Sequence, residues 1–101
     1  MVEIEVEIPD VLAEPIDYAG AVASAVDQLG LSVSVGTRMA KYPDSRHWHL
    51  KSAGRSGTLE VTAIPKLRRL WVCYHDNRVG DGWVRELAPV LADEISRRLD
   101  V

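Results

Sequence analysis

The segment VEIEVEI, residues 2–8, constrains the fold more than any other stretch of this chain. Val2, Ile4, Val6 and Ile8 alternate with Glu3, Glu5 and Glu7, so the spacing predicts a strand that buries one face and shows carboxylates on the other. Pro9 and Asp10 end it. The next segment reads as a helix that starts at Glu14-Pro15, with Pro at an early position where its missing N–H costs little. Ile16, Ala19, Val22, Ala23, Val26 and Leu29 recur at helical spacing, Asp17 adds negative charge to the first turn, and Gly30 supplies the stop.

Four more strands and a second helix are expected. LSVSVGTR alternates and is expected to bury Leu31, Val33 and Val35, MAKYPDS reads as a loop, and a third strand is expected around residues 46–52. AGRSG is a turn bracketed by Gly54 and Gly57, TLEVTAI a fourth strand, PKLR a turn and RLWVCYH a fifth strand. After the polar loop DNRVGDG, the remainder reads as a helix with Val84, Leu87, Ala88, Leu91, Ile95 and Leu99 as its apolar stripe. Arg97 and Arg98 suit its C-terminal end, and Pro89 predicts a kink or a start nearer residue 86.

The element order is β-α-β-β-β-β-α across a single domain, residues 1–101. Each helix has one stripe to hide, which points to an α+β fold: a curved antiparallel sheet of five strands with both helices packed on one face. That order resembles the TATA-binding-protein-like architecture, one half of the saddle. The resemblance is topological, covers nearly the whole chain and rests on no sequence motif, so it implies a fold and no function.

A chain of 101 residues supports one modest core, and 47% hydrophobic with 27% charged residues is ordinary for a soluble globular protein. A single cysteine excludes an intramolecular disulfide and fits a reducing, cytoplasmic setting. No apolar run approaches the roughly 20 residues of a membrane span, and the acidic, alternating N-terminus is the opposite of a signal peptide. A net charge of −3 argues against nucleic acid or an anionic membrane as partner.

Hairpin register sorts the side chains by face. A two-residue loop at Arg55-Ser56 sets Lys51 opposite Glu60 and His49 opposite Thr62; a four-residue loop at residues 65–68 sets Thr62 opposite Trp71 and Glu60 opposite Cys73. One face then collects Trp48, Leu50, Leu59, Val61, Ala63, Leu70, Val72 and Tyr74, the core side. The other collects His47, His49, Lys51, Thr58, Glu60, Thr62, Trp71, Cys73 and His75. Pairing of the first strand with the fifth would bring Glu3, Glu5 and Glu7 beside Arg69, Trp71 and Cys73.

RHWHL and WVCYH each carry two ligand-type residues at strand spacing, so His47, His49, Cys73 and His75 are the candidate metal ligands. With an intervening strand, His49 and Cys73 are on the order of 12 Å apart, too far for one four-ligand zinc site. A two-histidine site on His47 and His49, completed by a partner or substrate, is the alternative; polar residues on a half-exposed sheet face are the simpler reading. Cys73 has no basic neighbour to lower its pKa, and no carboxylate is assigned to orient His49.

The leading expectation is a small cytoplasmic, non-catalytic binding or assembly module without a cofactor. Its contact face comprises Trp71, His49, Thr62, His47, Lys51 and Glu60, and meets a second copy as a homodimer or another protein, with a small-molecule ligand as a further option. The alternative is a small-molecule or metal-ion enzyme that uses His47, His49, Cys73 and His75. Third is a nucleic-acid module with Arg38, Lys41, Arg46 and Arg55 near one end of the sheet, opposed by the acidic total and the Glu3/Glu5/Glu7 stripe.

Overall fold

The computed structural model describes residues 1–39, 41–75 and 82–99. Its elements are β1 (Val2–Glu5), α1 (Tyr18–Gln28), β2 (Ser32–Met39), β3 (Tyr42–Lys51), β4 (Leu59–Ile64), a short 3-10 turn at Pro65–Leu67, β5 (Arg69–Tyr74) and α2 (Gly82–Leu99). All neighbouring strands are antiparallel, in the spatial order β1-β5-β4-β3-β2. The α+β class and the β-α-β-β-β-β-α order are those expected, and the strand order is compatible with the half-saddle topology. The helices pack on each other and α2 packs on β5 and β1, closing a core with Leu50, Leu59, Val61, Ala63, Leu70 and Val72 of the sheet.

β1 takes its place at one edge because its alternation continues the apolar face of β5. Ile4 pairs with Val72, and the Val6 N–H donates to Leu70 O at 2.8 Å, carrying the pairing one residue past the strand. Val6 is buried and Ile4 and Ile8 pack against the core, whereas Val2, at the chain's start, is exposed.

α1 starts a turn later than Glu14-Pro15. Asp17 is its N-cap, and its carboxylate accepts from the Gly20 N–H at 2.9 Å. A Cβ on Gly20 would stand 2.2 Å from Asp17 Oδ2, so the cap needs glycine there. Glu14 instead accepts from the Ile16 N–H and from the Tyr18 hydroxyl, at 2.8 and 2.7 Å. The buried stripe is Tyr18, Ala21, Val22, Ala25 and Val26, and Ala19 and Ala23 are exposed where burial was expected.

α2 begins at Gly82 and not near residue 86. Trp83 and Val84 are buried in the core, and the Trp83 indole N–H donates to Ser56 O, which anchors the first turn. Pro89 lies on the exposed side. Near the other end, buried Glu94 accepts from Arg97 and Arg98, and Arg98 also donates to Ser24 Oγ of α1 at 3.3 Å. These two guanidinium hydrogen bonds hold the Glu94 carboxyl below the usual carboxylate range.

The β2–β3 hairpin departs most from expectation. β3 starts at Tyr42, and Met39 pairs with Tyr42, so most of MAKYPDS is strand and not loop. A register shift between Val33 and Val35 breaks the alternation. Val33 is 50% exposed because β2 is the outer strand, largely beyond the helices. Of the loop DNRVGDG, residues 76–81 lie outside the described residues.

Candidate functional site

Both helices cover one face of the sheet, and the other face carries the polar and ligand-type side chains of β3, β4 and β5. Trp48 packs against the core, while His47 and His49, one residue to either side, stand half-buried on the helix-free face. The histidines flank a tryptophan because a strand sends alternate residues to opposite sides. Trp71 also lies on the helix-free face, half-buried, opposite Thr62 and Glu5. The Arg69 guanidinium stacks 4.6 Å from its ring centroid and pairs with Glu5. Glu3 stands opposite Cys73, as the β1–β5 pairing implied.

The β4–β5 register is the expected one, Glu60 opposite Cys73 and Thr62 opposite Trp71. The β3–β4 register is shifted by two residues: His47 faces Thr62 and His49 faces Glu60, where His49–Thr62 and Lys51–Glu60 were expected. The cause is the connection after Lys51. The Arg55 N–H donates to Ser52 O at 3.1 Å, and Gly54 and Gly57 both take positive φ, +74° and +98°, so a longer loop replaces the two-residue turn. A tight hairpin turn needs positive φ at its two central residues, and Arg55-Ser56 suits that poorly; the flanking glycines were the legible signal. Lys51 now donates to Gly57 O at 3.2 Å instead of pairing with Glu60.

A shift of two keeps every residue on its own face but changes its partners. His47 Nδ1 lies 2.6 Å from Thr62 Oγ1, and its Nε2 lies 2.9 Å from Glu60 Oε1. His49 Nε2 is 3.1 Å from His47 Nε2 and 3.4 Å from the same Glu60 oxygen. The rings meet edge to face, centroids 5.0 Å apart. The carboxylate beside both imidazoles that sequence reasoning left unassigned is therefore Glu60. It was expected on this face, but as the partner of Lys51. Two nitrogens and one carboxylate oxygen converging in this way can share protons or hold a metal ion.

The other two proposed ligands stand apart from this cluster. Cys73 is buried on the neighbouring strand pair, and burial, with Glu60 and Glu3 nearby, pushes its thiol up to about 11, which makes it a poor nucleophile at neutral pH. His75 is exposed just past the end of β5. The basic residues of the third reading are spread along β3 and not gathered at one end: Arg38 and Lys41 flank the β2–β3 turn, Arg46 lies within the strand opposite Ala63, and Arg55 lies beyond Lys51 at the other end.

A groove of about 270 Å³ opens on the helix-free face, lined by Met1, Glu3, His47, Glu60, Thr62, Trp71 and Cys73. A larger cavity of about 560 Å³ lies on the helical side, between the start of α1 and the end of α2. Its charged residues are committed elsewhere, Asp17 to the α1 cap and Arg98 to Glu94, and no ligand-type cluster faces it among the described residues. The smaller groove is the one lined by ligand-type side chains. No helix among the described residues is long and apolar enough to cross a membrane. No family model, curated protein or solved structure matches the chain.

Proposed function

We propose that this protein is a small binding module whose working surface is the helix-free face of the sheet, and that it pairs there with a second copy of itself. One observation carries the reading: Trp71 lies half-buried on a sheet face that no helix among the described residues covers, beside a groove of about 270 Å³ lined by His47, Glu60 and Thr62. A large aromatic left on a sheet face favours burial against another chain. The charges suit a two-fold arrangement. Glu3 and Glu5 of β1 lie on one side of Trp71 and Lys51 of β3 on the other, so an axis near Trp71 sets the carboxylate edge of one copy against the lysine edge of the second.

Sedimentation velocity over a wide concentration range tests it. The wild type should show a monomer–dimer equilibrium that Trp71→Ala weakens while leaving the circular dichroism spectrum intact. A wild type that stays monomeric throughout, or a dimer indifferent to Trp71→Ala, overturns it. The convergence of His47, His49 and Glu60 favours a second reading, metal-dependent chemistry on the same face.

A further inference from the structure

We infer that His47, His49 and Glu60 form a binding site for a divalent transition-metal ion, with zinc as the best-fitting occupant. The inference rests on the preceding reading only in taking the helix-free face as the working surface. His47 Nε2, His49 Nε2 and Glu60 Oε1 form a triangle with sides of 2.9, 3.1 and 3.4 Å. An ion about 2.0–2.1 Å from all three would sit roughly 1 Å above their plane and subtend angles of about 90–112°. Those angles run from octahedral to tetrahedral. The spacing of the three atoms thus matches one face of a coordination polyhedron.

The surroundings support a ligating role for His47. Thr62 is buried, and its Oγ1 lies 2.6 Å from His47 Nδ1. In the tautomer that a bound ion selects, the Nδ1 proton is donated to that oxygen and Nε2 turns its lone pair toward Glu60 Oε1 and His49 Nε2. Three electron-rich atoms then face one another at close range, an arrangement that calls for a positive centre. A hydrogen bond from the far ring nitrogen is also what orients metal-bound imidazoles in general. The donor set chooses the class of ion: two imidazoles and one carboxylate suit zinc and its transition-metal neighbours, whereas calcium and magnesium favour oxygen shells.

The site is sheltered without being sealed. Side-chain exposures are 16% for Glu60, 25% for His47 and 38% for His49. Three protein ligands leave at least one position open for water or for a donor atom of a molecule in the adjoining groove. The strands fill the near side, so that position faces away from the sheet. Cys73 and His75 are not needed.

The test uses the untagged, full-length chain, freed of metal with a chelator and then titrated with Zn²⁺ and separately with Co²⁺. Bound metal is measured by elemental analysis, and coordination by the visible absorption of Co²⁺. One ion per chain is expected, with Co²⁺ bands of low coordination number. His47→Ala and His49→Ala should each abolish stoichiometric uptake, and Glu60→Gln should weaken it. Thr62→Val, which keeps all three ligands, should weaken binding by about 10–100-fold. If His47→Ala fails to fold, His49→Ala, at the more exposed position, answers the same question. No saturable uptake, or uptake that survives the histidine substitutions, overturns the site. Sedimentation of the metal-free and the zinc-titrated samples separates the two proposals: a dimer that takes up no zinc sinks only the metal site, and a zinc-loaded protein that is monomeric in both samples sinks only the self-association.

Discussion

The two faces of this sheet are built from the same residues of β3, β4 and β5 taken alternately, yet they obey different rules. On the helix-covered face Leu50, Leu59, Val61, Leu70 and Val72 are completely buried. Apolar burial is non-directional, so a shift of β3 by two residues exchanges one apolar neighbour for another and leaves that face similar in character. On the helix-free face the same shift replaces a Lys51–Glu60 pair with the His47–His49–Glu60 cluster. One face depends on area, the other on which atoms meet at 2.6–3.4 Å. Apolar burial and the polar side-chain cluster thus lie on opposite sides of one sheet.

Leu70→Ala should cost about 2–5 kcal/mol in urea denaturation, because it opens a cavity in the core beneath α2. His49→Ala should stay within about 0.5 kcal/mol in the same assay. Equal losses would break the division of labour between the faces.

Cys73 sharpens the contrast, since it is the buried thiol of the free face. With its pKa near 11, alkylation of the native protein at pH 8 should run on the order of a hundredfold or more slower than of the urea-unfolded chain. Rapid native labelling, followed by mass spectrometry, would show that the groove opens to admit reagent.

The smallest effect concerns the covered side, where Glu94 is tied to Arg97 and Arg98. Its folded carboxyl is held below the unfolded value of about 4.3. Its contribution is therefore present above that unfolded value and is lost as pH falls through the lower folded one. Glu94→Gln should flatten the acid limb of stability against pH, measured by urea titration. An unchanged limb would mean that the linkage through Arg98 to Ser24 of α1 adds nothing at low pH.

The faces were legible in the sequence because alternation is a local property. Val2 to Ile8 predicted β1, and the β4–β5 register followed from the turn at Pro65. The failures share one cause, the geometry of connections. α1 starts later because Asp17, not Glu14-Pro15, caps the helix, and Ala19 and Ala23 face outward because its packed face is the stripe of Tyr18, Ala21, Val22, Ala25 and Val26. Val33 came out exposed because nothing in its own segment tells that β2 is the outer strand. Glu60 was placed on the helix-free face, but its histidine partners were hidden by the loop between Lys51 and Leu59.

The sequence by itself determined that this chain forms an antiparallel sheet covered by two helices on one side, and that His47, His49, Glu60, Thr62 and Trp71 share the other. Only the tertiary structure decided that His47, His49 and Glu60 meet. A side chain's face follows from its own strand's period of two, whereas its neighbour across the strands depends on how a flexible glycine-bearing loop closes.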